Sequence, residues 1–382
     1  MKILAIVFVL GVIVLAAALL PVRPYLDFQL IFHANLGLLR GISLYDQAGQ
    51  VNMIAQLAQV SPEQVYVLPF PYPPWYALST LWLAVMPIDT ASRAWFAANL
   101  TMLFLSAGLL TSGQAPAKRI LFFLGALFWM PILGGLFVGQ YGFPVLLGAA
   151  LMIFALRNKN PVLTAIAAAL LTFKPHLGGL VLVLTAVALA RRGDDFGRKA
   201  LLASLAAGMI LFAVGFIASP NWPVEYFRSL TGFKDVSQCG QCVSIPMALV
   251  GFAKARFDEA MWISLPLAIL LLLWVVRRWR TVSSMPGGLV SAGILITILV
   301  SPYLQNYDYL LLLVPLIELA RGRRRTLEWI AMALAYVLPY VSLGLWGTRG
   351  NASLIVSACI LFGLAAMESR PDDRGSTQSA SA

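Results

Sequence analysis

The chain has 382 residues, of which 60% are hydrophobic and 11% charged, and its formal net charge is +11. A soluble domain carries about 25% charged residues, so a water-facing fold is excluded: there is too little polar surface to cover it. Nucleic-acid binding, the usual reading of so basic a protein, is excluded by where the charges lie. Lys118-Arg119, Arg157 with Lys159, Arg191-Arg192 with Arg198-Lys199, Arg277-Arg278 with Arg280, and Arg321 with Arg323-Arg324-Arg325 all fall in short clusters between apolar runs. That is the charge pattern of cytoplasmic loops in a membrane protein.

In chain order, residues 3–20, 94–117, 120–156, 200–219, 329–348 and 350–367 contain no Asp, Glu, Lys or Arg. A helix needs about 20 apolar residues to cross the hydrocarbon. Lipid also forces every backbone polar group to find an internal partner, which leaves helices or closed barrels. Continuous apolar runs lack the alternation of a barrel strand, so the sequence predicts an all-α polytopic membrane protein. The start at Met1-Lys2 and the Ala16-Ala17-Ala18 stretch resemble a signal peptide, but the apolar run is longer than a usual signal core, and an uncleaved first helix is expected. Helices are predicted near 3–20, 74–88, 94–112, 119–138, 142–157, 161–173, 176–190, 200–219, 261–276, 287–301, 308–320, 328–346 and 352–367. They make about twelve crossings, within a range of about eleven to thirteen, and the short 74–88 and 161–173 segments are the ones expected to be re-entrant.

Residues 1–367 therefore form a single transmembrane domain with two polar excursions, at 21–73 and 220–259, followed by a disordered cytoplasmic tail at 368–382. Neither excursion carries a strong basic cluster, so both are expected outside the cytoplasm, together with residues 139–141, 174–176 and 301–308. The N-terminal third conflicts with this scheme: two full crossings between 74 and 112 put Lys118-Arg119 outside.

Polar and ionisable groups beside membrane helices are expensive and are functional candidates by default. Asp27 follows the first helix, where it is either a general base at the membrane surface or a helix-capping carboxylate. Lys174, in Thr172-Phe173-Lys174-Pro175-His176, either snorkels to the interface or holds a phosphate as a point charge; His176 alone reads as structural. The stretch Ser301 to Tyr309 concentrates hydrogen-bonding groups, Gln305, Asn306 and Asp308 among them, although its aromatics also suit an interfacial belt and an acid suits a helix start. Gln140, in Gly139-Gln140-Tyr141-Gly142, is either part of a turn or a ligand for a substrate hydroxyl. Tyr72, in Phe70-Pro71-Tyr72-Pro73-Pro74-Trp75, stands at a rigid aromatic entry to a helix. Cys239 and Cys242 lack the further ligands a zinc site needs, and in an external loop their expected fate is a local disulfide.

The order of these motifs resembles glycosyltransferase family 87, a branch of the GT-C membrane transferases. The matching residues are Asp27, then Gly41 through Tyr45-Asp46, Tyr72-Pro73-Pro74, Gly139-Gln140, Lys174-Pro175 and the late Ser301-Pro302 loop to Asp308. The late loop has Gln305, Asn306 and Tyr307 where family members often carry a His, and the external loop reads Gly240-Gln241-Cys242 where Asn-Gln-Ser is usual.

The resemblance implies a GT-C-like helical bundle in the cell inner (plasma) membrane that transfers a hexosyl unit, most simply mannosyl, from a polyprenyl-phosphate-sugar donor. The acceptor is a glycolipid or glycan hydroxyl at the extracytoplasmic face. It implies an inverting mechanism with Asp27 as general base, and Lys174, with Arg23 and Arg40 behind it, on the donor phosphate. Tyr72, Gln140, His176, Gln305, Asn306 and Asp308 are left for sugar or acceptor. No metal and no cofactor beyond the lipid-linked sugar is expected, since Asp27, Asp46 and Asp308 are scattered in sequence; the other partners are membrane lipids. The competing reading is a transporter or flippase for a lipid-linked saccharide, in which Lys174 and Asp308 are coupling or substrate charges.

Overall fold

The computed structural model describes residues 2–236, 243–252, 257–301, 303–322, 325–344 and 348–368. Cys239, Cys242 and the tail from 369 lie outside the described residues. The described chain is all helical. Its α-helices, in order, are α1 (Lys2–Leu19), α2 (Leu26–Leu39), α3 (Gln47–Ala58), α4 (Pro74–Thr80), α5 (Ile88–Leu110), α6 (Pro116–Phe128), α7 (Met130–Val138), α8 (Gly142–Arg157), α9 (Pro161–Leu171) and α10 (Pro175–Arg192). They continue as α11 (Asp195–Ala218), α12 (Trp222–Val236), α13 (Ile245–Phe252), α14 (Phe257–Arg277), α15 (Trp279–Ser284), α16 (Pro286–Val300), α17 (Leu313–Arg321), α18 (Thr326–Gly344) and α19 (Thr348–Glu368). A 3-10 turn, Asn306–Leu312, leads into α17.

Proline does much of the punctuation. Pro74, Pro116, Pro131, Pro161, Pro175 and Pro286 each stand in the first turn of a helix, where a missing N–H costs nothing. Among the described residues, α5, α10 and α11 are each long and apolar enough to cross a bilayer, and α6 and α7 together are apolar enough but meet at a bend of 59°. The shorter apolar helices, α8 and α16 among them, fill the interior: residues 289–300 of α16 are buried without exception. By contrast α11 turns Leu202, Leu205, Met209, Ile210 and Ile217 outward, an apolar face suited to lipid.

Contacts between connectors define two ends of the bundle. At one, α2, α3 and α12 pack as a cap. Ser43 Oγ donates to Glu225 at 2.8 Å and Ser229 Oγ to the Phe70 carbonyl at 2.7 Å, and Trp75 lies edge-on to Trp222 with centroids 5.5 Å apart. At the other end arginines gather. Arg157 pairs with Glu318, Arg321 binds the Leu110 and Ser112 carbonyls, and Arg278 donates to the Ala366 carbonyl. Among the described residues, α5, α10 and α11 are long enough to run between the two ends, and the shorter apolar helices α8, α9, α14, α16, α18 and α19 pack among them.

The 74–88 segment, one of the two expected to be re-entrant, is too short to cross. Here α4 has seven residues and is followed by a five-residue 3-10 turn, Leu81–Val85; together they span about 20 Å, against about 30 Å of hydrocarbon. The Trp75 indole donates to Thr172 Oγ1 and Asn35 to Thr80 Oγ1, both at 3.0 Å, so the segment stays at the capped end. With one crossing removed, α5 carries the chain to the arginine end, and Lys118-Arg119 joins the other basic clusters. The conflict in the N-terminal third disappears.

Candidate active site

Four polar residues from four separate connectors meet at the capped end. Asp27 sits in the first turn of α2, where the positive end of the helix dipole favours a carboxylate. Gln140 lies in the turn between α7 and α8. Gly139 closes α7 with φ +73°, in the left-handed region that glycine enters without strain, and the Gln140 N–H caps the helix on the Gly135 carbonyl at 2.8 Å. Lys174 precedes Pro175 at the α9–α10 junction, and Asp308 lies in the 3-10 turn after α16.

The Lys174 ammonium donates to Asp308 Oδ1 at 2.5 Å and to Gln140 Oε1 at 3.4 Å, and its Nζ lies 5.4 Å from the Tyr307 ring centroid. The side-chain exposures of Lys174 and Asp308 are 2% and 0%. The second Asp308 oxygen accepts the backbone N–H of Gln305 at 3.0 Å, so the carboxylate uses one oxygen for the cation and one to hold its own loop. Asp27 completes the group. Burial raises its pKa above the ordinary carboxylate value; hydrogen bonding to Gln140 and the Lys174 charge pull it back, and Asp308 pushes it up. The Gln140 Nε2 has no hydrogen bond of good geometry, so its effect on Asp27 is that of a nearby donor rather than a well-formed bond.

Aromatic side chains wall the group. Tyr72 meets Tyr141 edge-on at 4.9 Å and Tyr76 at 5.7 Å; the Tyr45 hydroxyl donates to the Tyr72 carbonyl at 2.9 Å. His176, exposed at the start of α10, lies edge-on to Tyr303 at 5.6 Å. Gln140, Tyr72, Tyr141, Lys174 and Asp308 form a buried floor, and Asp27, His176, Tyr303, Gln305, Asn306 and Tyr307 form a rim that keeps some exposure.

One expectation is corrected, and one gains a partner. Lys174 is paired with Asp308. Arg40 caps the C-terminal end of α2, about 20 Å from Asp27 by helix rise, and its exposed side chain is not part of the group. Arg23, exposed four residues before Asp27, stays near. Asp46 caps α3 through the Gly49 N–H at 3.0 Å, a structural role.

Sequence reading missed the supports behind Gln140. Trp95 Nε1 donates to the Gly139 carbonyl at 2.9 Å and Asn99 Nδ2 to the Gln140 carbonyl at 3.2 Å, both from the interior of α5. Asn99, an amide in an apolar span, was the available signal.

The model of glycosyltransferase family 87 matches residues 70–302. The chain belongs to glycosyltransferase family 87. It is therefore a membrane glycosyltransferase, with a sugar donor and an acceptor as substrates. No curated protein matches the sequence significantly. Tyr72, Gln140, Lys174 and His176 fall inside the matched segment of this family member, whereas Asp27 precedes it and Asp308 follows it.

Proposed function

We propose that the protein transfers a hexosyl unit, mannosyl in the simplest case, from a polyprenyl-phosphate sugar to an acceptor hydroxyl at the extracytoplasmic face, by an inverting displacement with Asp27 as the general base. The single observation that carries this reading is the partly exposed carboxylate of Asp27 beside Lys174 and Gln140 at the end of the bundle opposite the arginines.

In this scheme the acceptor oxygen forms the new bond to the anomeric carbon. The bond from that carbon to the phosphate oxygen breaks, and its electron pair leaves with the polyprenyl phosphate. The hydroxyl proton passes to Asp27. A phosphate leaves without being protonated, so one carboxylate suffices where glycoside hydrolysis uses two. Burial makes Asp27 a stronger base than an exposed carboxylate, and Lys174 keeps its anion within reach. The donor phosphate meets Lys174 by taking the place of Asp308, with Arg23 as the adjacent second cation; Gln140, Tyr72, His176, Gln305, Asn306 and the freed Asp308 are left to hydroxyls of sugar and acceptor. The reaction needs no metal in this scheme.

The test is product formation by purified Asp27→Asn protein with a polyprenyl-phosphate mannose donor and a lipid acceptor in detergent. Loss of transfer without loss of thermal stability is expected; full activity removes Asp27 from the mechanism. Formation of a glycosidic bond by the unmodified protein also separates this reading from a flippase, which makes no bond.

A further inference from the structure

The arginine end holds a cavity of about 330 Å³ whose lining combines Arg191, Arg192 and Arg280 with Trp279, Leu189 and Leu289. It lies where the C-terminus of α10 meets α15 and the start of α16. The guanidinium of Arg191 stacks over the Trp279 ring at 5.0 Å, an arrangement that fixes the charge at the mouth while leaving its N–H groups to donate. Arg192 is already taken by Asp194, at 2.7 Å, and the other nearby acid, Asp195, is occupied by Arg198 and Lys199. Arg191 and Arg280 form no ion pair among the described residues. The cavity thus carries two unspent cations above an apolar floor.

The surface leading to it is apolar. Val183 and Val187, both exposed, precede Arg191 at intervals of four on α10 and so share its face. A single acyl chain lying along this stripe brings its headgroup to Arg191. A neighbouring cavity of about 290 Å³ shares Pro286, but its one arginine, Arg157, is paired with Glu318, so it offers no spare charge. A topology signal alone requires basic residues in a loop; it requires neither a cavity between helices nor a stacked tryptophan.

We infer that this cavity is a binding site for the phosphate headgroup of an anionic phospholipid from the leaflet at the arginine end, held by Arg191 and Arg280 with one acyl chain along α10.

Native mass spectrometry of the full-length protein in detergent, titrated with phosphatidylglycerol or phosphatidylcholine, tests it. Phosphatidylglycerol is expected to be retained and phosphatidylcholine not. Each arginine contributes about fivefold in affinity for an anionic lipid, so the Arg191→Gln/Arg280→Gln variant is expected to bind roughly 30-fold more weakly. Arg191→Lys/Arg280→Lys should keep most of the affinity, and Lys118→Gln/Arg119→Gln, at another basic cluster, all of it. Equal retention of the two lipids, unchanged retention in the glutamine variant, or full displacement of phosphatidylglycerol by millimolar inorganic phosphate overturns the inference, the last because it identifies a site for a soluble anion.

Discussion

Replacing Asp308 by Asn gives the sharpest test of how the buried floor is built. The carboxylate has two obligations, Lys174 through Oδ1 and the Gln305 N–H through Oδ2, whereas an amide has a single acceptor oxygen. One of the two is lost, and the ammonium, 2% exposed, faces no full countercharge. Removing one partner of a buried ion pair costs about 3–5 kcal/mol. At roughly 2 °C per kcal/mol, the lower end of the scale for domains of 150–250 residues and the end suited to a longer chain, the thermal midpoint in detergent should fall by about 6–10 °C. Lys174→Gln should fall comparably, since it strands the carboxylate. The double variant removes both charges and should recover part of the loss, leaving a coupling energy of about 1–3 kcal/mol in the cycle. Midpoints of single and double variants, measured by intrinsic fluorescence in one detergent and salt, decide it. Strict additivity would refute the pairing and, with it, the idea that a donor phosphate replaces Asp308 on Lys174.

Other outcomes follow from the same geometry. The acid limb of kcat/KM reports Asp27 losing its proton: because burial raises that pKa, the rate should climb with pH through a range above that of a free carboxylate. Lys174→Gln, which removes a lowering charge, should move the limb to higher pH, and Asp308→Asn to lower pH. For stability the sign is opposite: a carboxyl whose folded pKa is raised stabilises the fold below its unfolded pKa and loses that contribution as pH rises through the folded value. Gly139→Ala should destabilise the protein and depress transfer together, because the residue has φ +73° and its new Cβ would stand 2.8 Å from Phe28 Cβ, next to Asp27; circular dichroism melts alongside activity check both. Asn99→Ala leaves the Gln140 carbonyl without its partner and is expected to lower kcat about tenfold, with a stability loss of only about 1 kcal/mol; a kcat loss without any change in KM distinguishes positioning from binding.

The membrane character, the helical class and the arrangement of basic clusters at one end were legible in the sequence, because the absence of charge over long runs leaves lipid as the solvent and helices as the only satisfied backbone. The polar residues worth attention were legible for the same reason: Asp27, Gln140, Lys174 and Asp308 are costly where they stand. Their partnerships were not. Lys174 and Asp308 are 134 residues apart, and nothing local to either reveals that each cancels the other; only the docking of the α9–α10 junction against the turn after α16 does. The brevity of the 74–88 segment already marked it as re-entrant, but its break into a seven-residue helix and a 3-10 turn docked at the capped end was not legible. Hydrophobicity is a property of each residue and survives in the linear order, whereas charge pairing and end-to-end register belong to pairs of distant residues and come into being only when the bundle packs.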